Sequence, residues 1–375
     1  MQSRTMKQGT ALPITPPSTV EKKPQVGDRC DERLQPRKLL PQLKKSVGNR
    51  KPRLKYRPVL NSVFDLDSFM DFKHPCTSPN HHMDRDAGFI KYALNYSKRM
   101  VVVSGAGVSV AAGIPDFRSS EGVFSTENGG SGKDLFDYNR VYGDESMSVK
   151  FNRLMVSLFK LSNDCLPTKF HEMLNGFAKD GRLLRLYTQN IDGLDTQLPH
   201  LATNVPLAKP IPSTVQLHGS IKHMECNKCL NVKPFDPEIF KCDDGYDSRT
   251  EIIPSCPQCE EFETVRKIAG LRSTGVGKLR PRVILYNEIH PEGDFIGEIA
   301  NNDLKKRPDC LIIVGTSLKI PGVKNICRQF AAKVHANKGI VLYLNTSMPP
   351  KNILDSLKFV DLIVLGDCQH ITSLL

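Results

Sequence analysis

Met100-Val101-Val102-Val103-Ser104-Gly105-Ala106-Gly107-Val108-Ser109 is the stretch on which the reading of the fold turns. The apolar run is short for a helix and suits a strand buried on both faces, three of its four residues being β-branched. It breaks into a glycine turn, where missing side chains let the backbone approach a phosphate. A helix is expected to follow, its N-terminus adding free N–H groups and the positive end of a dipole. A tight strand–helix turn would also use glycines. The pattern is not the dehydrogenase fingerprint, because Val110 stands at the third glycine position.

Moving outward, Asp86 to Ser97 reads as a helix with Phe89, Ile90, Ala93 and Leu94 on one face. Further short apolar runs are Leu184–Tyr187, Val283–Leu285, Leu311–Val314, Ile340–Leu344 and Leu362–Leu365. Helical patterns separate them at Thr168–Phe177, Asp294–Leu304 and Val323–His335. Such alternation predicts a parallel sheet covered on both faces. The fold class expected is α/β: a Rossmann-like parallel sheet domain over 85–220 and 278–375. A small zinc-ribbon and helical domain interrupts it over 221–277, and a helical insertion lies near 124–162.

The chain has 375 residues and a net charge of +12, with 39% hydrophobic and 25% charged residues. That is enough for about two domains with a sizeable core. No run approaches the roughly 18 apolar residues of a membrane span. The polar, proline-rich start does not read as a signal peptide. Residues 1–60 carry +11 of the charge, leaving +1 on the rest. They read as a disordered basic tail, followed by a docking segment over 61–84. Lys44, Lys45, Arg50, Lys51, Arg53, Lys55 and Arg57 form a dense cluster within the tail. It suits a nuclear import signal or a DNA-phosphate contact, or equally a solvated tail with no receptor. A folded body this near neutrality is expected not to bind DNA strongly by charge, and removing residues 1–57 is expected to spare it.

The chemistry gathers at strand ends. After Ala111-Ala112-Gly113-Ile114, Pro115 leaves Asp116, Phe117 and Arg118 on a loop at the carboxyl edge of the sheet. Thr188-Gln189-Asn190-Ile191-Asp192 closes the second strand, as a capped turn or as polar groups awaiting a ligand. In Val215-Gln216-Leu217-His218-Gly219 the histidine precedes a glycine beside this candidate nucleotide site. Gly315-Thr316-Ser317, Asn345 and Gly366-Asp367-Cys368 end later strands. Small or polar tips along one edge make a cofactor crevice.

Cys226-x2-Cys229 and Cys256-x2-Cys259 are separated by 26 residues. Two such knuckles suit tetrahedral zinc, and four thiolates leave no open position, so the ion is expected to be structural. Cys242 lies between them without a paired neighbour.

Taken in order, Gly105 to Ser109, Gly113 to Arg118, Thr188 to Asp192, His218-Gly219, the paired cysteines and Gly315 to Ser317 resemble the sirtuins, NAD-dependent protein-lysine deacylases. The tail and insertions are most similar to the fungal nuclear branch acting on histone H3. The resemblance implies that Gly105, Ala106, Gly107, Ser109, Ala111, Ile114, Asp116, Phe117 and Arg118 bind NAD, with Phe117 over the nicotinamide. Thr188, Gln189, Asn190, Ile191 and Asp192 would surround the nicotinamide ribose. Gly315, Thr316, Ser317, Asn345 and Cys368 would take the phosphates and adenosine. His218 would be the general base, with Asn190 also catalytic. Val283, Ile284 and Tyr286 would hold the acetyl-lysine peptide as an added strand.

The chemistry implied begins with the acetyl oxygen attacking the ribose carbon as nicotinamide departs. His218 then deprotonates a ribose hydroxyl, and water releases lysine and O-acetyl-ADP-ribose. One departure stands out: the family usually has Phe-Gly-Glu where this chain has Tyr286-Asn287-Glu288. That bears on substrate range. Acetylated histone, chromatin and a weak tail contact with DNA are the partners expected, with no membrane. The nucleus is the expected location, with the cytoplasm as a second. Mono-ADP-ribosyl transfer, a non-catalytic NAD-sensing scaffold and a zinc- and NAD-dependent dehydrogenase are the competing readings. The four-cysteine site and Val110 disfavour the last.

Overall fold

The computed structural model describes residues 52–71, 81–116, 132, 134–240 and 253–375. The expectations for residues 1–51, Phe117, Arg118 and Cys242 lie outside them.

Seven strands form a parallel sheet in the order β1 (Ser62–Asp65), β10 (Leu362–Leu365), β9 (Ile340–Asn345), β8 (Cys310–Val314), β2 (Met100–Ser104), β3 (Leu183–Thr188), β4 (Thr214–Gln216). All its pairings are parallel, with Val102 opposite both Leu186 and Ile312. From β2 the chain runs outward to β3 and β4, and later resumes on the other side at β8. The strand order therefore reverses between β2 and β8, where open α/β sheets bind ligands.

Alternation along each strand feeds two cores. Met100 and Val102 face α2 (His81–Tyr96) and α5 (Lys169–Lys179) through Phe89, Ile90, Phe170 and Leu174. Val101 and Val103 face α7 (Gly293–Lys305), α8 (Pro321–Ala336) and α9 (Lys351–Leu357) through Ile299, Phe330 and Ile353. These strand residues are fully buried, each worth about 1.5–3 kcal/mol.

The other sheet has three antiparallel strands in the order β6 (Val232–Pro234), β5 (Gly219–Cys226), β7 (Leu279–Val283). The apolar run starting at Val283 was expected in the parallel sheet, and this placement corrects it. Leu279 and Val283 turn to a third core, while Arg280 and Arg282 are held by buried Glu225 at 2.9 and 3.1 Å. Helices α3 (Tyr138–Gly143) and α4 (Glu145–Asp164) bring Val141, Phe151 and Met155 to that same core, beside Cys226, Cys256 and Cys259. The helical insertion and the cysteine segment thus share one core. Helix α6 (Pro257–Ile268) carries the second cysteine pair.

Two further expectations change. The docking segment supplies the edge strand β1 and helix α1 (Leu66–Asp71), Phe64 being buried in the first core. The end of the tail also belongs to the fold. Arg57 pairs with buried Asp361 and donates to the carbonyl of Gly339 at 2.8 Å, and the Tyr56 hydroxyl donates to Asp86 at 2.9 Å. A truncation meant to spare the body therefore stops at Lys51 rather than Arg57. No helix among the described residues is long and apolar enough to cross a membrane.

Candidate functional site

At the point of reversal two glycine loops interlock. A Cβ on Gly105 would lie 2.6 Å from the carbonyl oxygen of Gly315, and one on Gly107 would lie 2.8 Å from the Gly315 Cα. Only glycines let β2 and β8 end in such contact. The chain past Gly105 forms two 3-10 turns, Ala106–Val108 and Val110–Ala112, ending at Gly113 with φ +87°. Among the described residues no α-helix follows the glycines, and the two 3-10 turns stand where it was expected.

A cleft of about 1290 Å³ opens above this junction. Gly105, Ala106, Gly107, Ala111, Ile114 and Asp116 line one wall; Gly315, Thr316, Ser317, Asn345 and Cys368 line another. Gln189, Ile191 and His218 form the floor toward Val283, Ile284 and Tyr286. Ser109, Thr188, Asn190 and Asp192, also expected to touch cofactor, lie behind this surface as a buried layer. The Asn190 amide donates to the Ser109 hydroxyl at 3.1 Å, and Asp192 accepts from the Leu194 N–H at 2.8 Å. Asn190 Oδ1 is buried with no hydrogen-bond partner. An orphaned acceptor is costly unless a bound group satisfies it.

The neighbours hold this geometry. Gln189 Nε2 donates to the Thr316 hydroxyl at 2.8 Å, linking the β3 end to the β8 loop. Tyr343 donates its hydroxyl to the Thr316 carbonyl at 2.7 Å, fixing that loop from below. Burial pushes the Cys368 thiol up to about 12, so it stays a neutral wall beside Gly107. His218 is half-buried, and its Nδ1 lies 3.1 Å from the Gln189 carbonyl oxygen. A carbonyl only accepts, so Nδ1 carries the proton and the neutral ring keeps its lone pair on Nε2. Its own carbonyl accepts from the Ile284 N–H at 3.0 Å, which ties the histidine to the β7 exit.

The Tyr286-Asn287-Glu288 turn retains the conformation that glycine would take. Asn287 has φ +64°, and asparagine tolerates this left-handed region better than most residues. Its amide donates to Asp137 at 2.6 Å, while Tyr286 exchanges backbone hydrogen bonds with Phe136 and Tyr138. The insertion therefore anchors the turn beside the expected peptide wall.

Two buried residues beneath the pocket, His171 and Asp195, give little signal in the sequence. His171 occupies the capping-box position of α5, its Nδ1 accepting from the Thr168 N–H at 3.1 Å. Its proton is thus on Nε2, which faces Asp195 at 3.4 Å. Burial holds His171 below the usual imidazole range and pushes the Asp195 carboxyl up to about 6, partly offset by the Thr188 hydroxyl. The only hint was a Thr-x-x-His spacing where a capping box usually ends in Glu or Gln.

A raised carboxyl favours the fold where it is protonated. That contribution is complete below pH 4, fades between about 4 and 6, and is lost above. Asp195→Asn is therefore expected to raise stability at pH 7 by up to about 3 kcal/mol, with the gain vanishing below pH 4. Denaturant melts at pH 4 and 7 measure this, and an Asn variant less stable at pH 7 would show that the carboxylate is the favoured form.

The four cysteines meet as expected. Their sulfurs all lie within 4.8 Å of one another, with Cys226–Cys259 and Cys229–Cys256 both at 3.7 Å. A tetrahedron with Zn–S bonds of about 2.3 Å has edges of about 3.8 Å, so the set fits one zinc ion with no position left for substrate. Burial pushes the Cys226 thiol up, but the N–H groups of Cys229 and Lys228 outweigh it and bring it to about 7, toward the thiolate a metal needs. A Cβ on Gly277 would meet Cys226 Sγ at 2.4 Å, so glycine is what admits this loop to the cluster.

The Sir2 family model matches residues 105–322. The chain is 87% identical over 370 residues to the NAD-dependent histone deacetylase HST4 of Saccharomyces cerevisiae, covering 99% of this chain and 100% of that one. It is 47% identical to the NAD-dependent protein deacetylase hst4 of Schizosaccharomyces pombe, over 74% of this chain and 66% of the relative. A solved Sir2 homolog–NAD complex superposes with TM-score 0.55 at 21% identity, covering 76% of this chain and 91% of the other, a likeness of fold. The matched span runs from the first glycine of the interlocked loops to the start of α8 and takes in His218 and all four cysteines, so the chain belongs to the Sir2 family.

Proposed function

We propose that the protein is an NAD-dependent deacetylase of acetyl-lysine on histones, histone H3 in particular, acting in chromatin silencing and genome maintenance. The observation that carries the reading is one continuous cleft. It joins the interlocked glycine loops, the lone pair of His218 and the exit of β7. The two relatives named above are themselves NAD-dependent deacetylases by name, one of them a histone deacetylase.

Bound NAD would supply an electrophilic ribose carbon with nicotinamide as its leaving group. The Gly105–Gly107 and Gly315–Ser317 loops hold the phosphates through backbone and hydroxyl groups. Asn190 Oδ1, which lacks a partner, would be satisfied from the ribose side, with Gln189 and Asp192 keeping that layer rigid. Ile114 and Asp116, on the cleft wall, would face the nicotinamide end, the role the family resemblance also gives to Phe117 and Arg118. Asn345 and Cys368 take the adenosine end. His218 Nε2 accepts a ribose hydroxyl proton, its ring pre-oriented by the Gln189 carbonyl. Val283, Ile284 and Tyr286 would flank the acetyl-lysine, and the four cysteines, holding zinc, would keep their strand in place. The basic tail directs nuclear import and adds a loose phosphate contact.

The test is the purified full-length chain, NAD and an array of acetylated core-histone peptides. Nicotinamide and O-acetyl-ADP-ribose should form only when NAD and an acetyl peptide are both present. Label from NAD remaining on protein with acetyl groups untouched would replace the reading with mono-ADP-ribosyl transfer. No turnover at all would leave a scaffold.

A further inference from the structure

The parallel sheet has another edge, at the amino ends of its strands, away from the cleft. In spatial order Lys358 precedes β10, Lys338 precedes β9, Arg307 precedes β8, and Lys98 and Arg99 precede β2. Lys305 ends α7 just before Arg307. All six are exposed. Adjacent strands lie about 4.8 Å apart, so the row crosses about 14 Å. Lys98, Arg99, Lys305 and Arg307 line one hollow of about 430 Å³.

Three acids at this edge are engaged by other groups, while Asp180, exposed before β3, is the one near the hollow without an ion pair among the described residues. Asp309 accepts the backbone N–H groups of Lys98 and Arg99. Asp361 pairs with Arg57, and Asp303 with Arg185 at 2.8 Å. Among the described residues, Lys98, Lys305, Arg307, Lys338 and Lys358 take part in no ion pair. The net +1 of residues 61–375 therefore conceals a segregated cationic face.

The backbone at three of these positions is unusual. Arg307, Lys338 and Lys358 have φ of +57°, +58° and +63°. They stand where α7, α8 and α9 give way to strands, positions that glycine commonly fills. A residue with a Cβ is strained there. A cation near a helix C-terminus recovers part of that cost, but it would recover as much in the last turn without strain. Long cations at three successive crossovers, where glycine would be easier, point to a use for the charge.

We propose that this edge is a contact for duplex DNA, held through the phosphate backbone without reading sequence. Duplex DNA presents one charge per about 1.7 Å of axis, and a row of unpaired cations matches such a repeating polyanion. Lysine is depleted from protein–protein interfaces, which disfavours an acidic protein. The start of the described chain lies on the same face. Arg57 donates to the Gly339 carbonyl beside Lys338, and the Pro52 carbonyl accepts from Tyr92 in the last part of α2. The tail cations directly precede Pro52 in sequence.

The experiment is fluorescence anisotropy of a labelled mixed-sequence duplex with the full-length chain across a salt series. In one variant the tail cations Lys44, Lys45, Arg50 and Lys51 become Gln. In another Arg307→Asn, Lys338→Asn and Lys358→Asn are combined, asparagine keeping the left-handed backbone. The tail variant should retain salt-dependent binding. The triple variant should lose at least tenfold in affinity at 0.15 M salt. Its slope of log affinity against log salt should be shallower by about 2.7, at about 0.9 per lost phosphate contact. Its acetyl-peptide turnover and melting temperature should match wild type. A triple variant that binds DNA as wild type does overturns the proposal. So does one that loses binding to polyglutamate while keeping binding to DNA, which would assign the edge to an acidic protein.

Discussion

His218→Ala is expected to lower steady-state nicotinamide release from NAD and acetyl peptide by about 10²–10⁴-fold, the range for loss of a positioned general base. The structure gives the reason at the level of one proton. The Gln189 carbonyl 3.1 Å from Nδ1 fixes the tautomer, so the lone pair needed to accept a proton sits on Nε2. Binding should survive, because the glycine loops and the Asn190 layer do not depend on the imidazole. The expected signature is a fall in kcat with little change in the NAD dissociation constant. Exchange of labelled nicotinamide into NAD should persist, since that bond breaks before His218 acts. His218→Asn should behave like His218→Ala, because an amide fills similar space without a basic lone pair. Full turnover in either variant would remove His218 from the mechanism; lost NAD binding would make it a structural residue.

How much of this was legible in the sequence follows from which physical signals are local. The run Met100–Val103 was unmistakable because a strand buried on both faces has no polar residue to confuse its period. The cysteine pairs were legible because each knuckle is a local unit, and the loop between them costs little to close. His218 stood out because Gly219 follows it at a strand end. The second 3-10 turn, Val110–Ala112, departs from the helix that the alanines and valine before Pro115 favour. The contact of Gly105, Gly107 and Val108 with the Gly315 loop fixes the chain that leads into it.

Strand β7 was misplaced because its alternation is hidden. Leu279, Pro281 and Val283 make one face, and Arg280 and Arg282 the other, the arginines being buried only because Glu225, Glu288 and Glu292 wait for them. A sequence does not record such partners, Glu225 lying 55 residues from Arg280 and Glu288 and Glu292 reaching back across a turn. The same holds for Arg57, which counts as a tail charge until Asp361 is seen behind it. His171 and Asp195 are a further case, since their titration is shifted chiefly by burial beneath the pocket.

Removing the zinc is expected to have the largest effect on stability and the most selective effect on function. Three of the four cysteines are buried members of the third core, so the ion sits inside the packing of the small module. Zinc in small domains contributes apparent binding energies of about 10–16 kcal/mol, comparable to or above the whole stability of a typical domain at about 5–15 kcal/mol. Without it the small sheet and helices α3 and α4 have too little core of their own.

Strand β5 transmits the loss. It runs from Gly219, next to His218, to Cys226 at the cluster, a span of about 23 Å at 3.3 Å per residue. Its partner β7 leads into the peptide wall at Val283–Tyr286. The parallel sheet has two cores built without any cluster cysteine. Chelation, or Cys256→Ser with its loss of one ligand, should therefore split the thermal transition in two and abolish acetyl-peptide turnover. NAD binding should weaken far less, because the interlocked glycine loops belong to the larger sheet. Calorimetry of the full-length chain with and without chelator, together with NAD and peptide titrations, reads all three. A single unshifted transition with intact turnover would show that the four sulfurs hold no ion that matters to the fold. A proportionate loss of NAD binding would show that the two parts unfold as one.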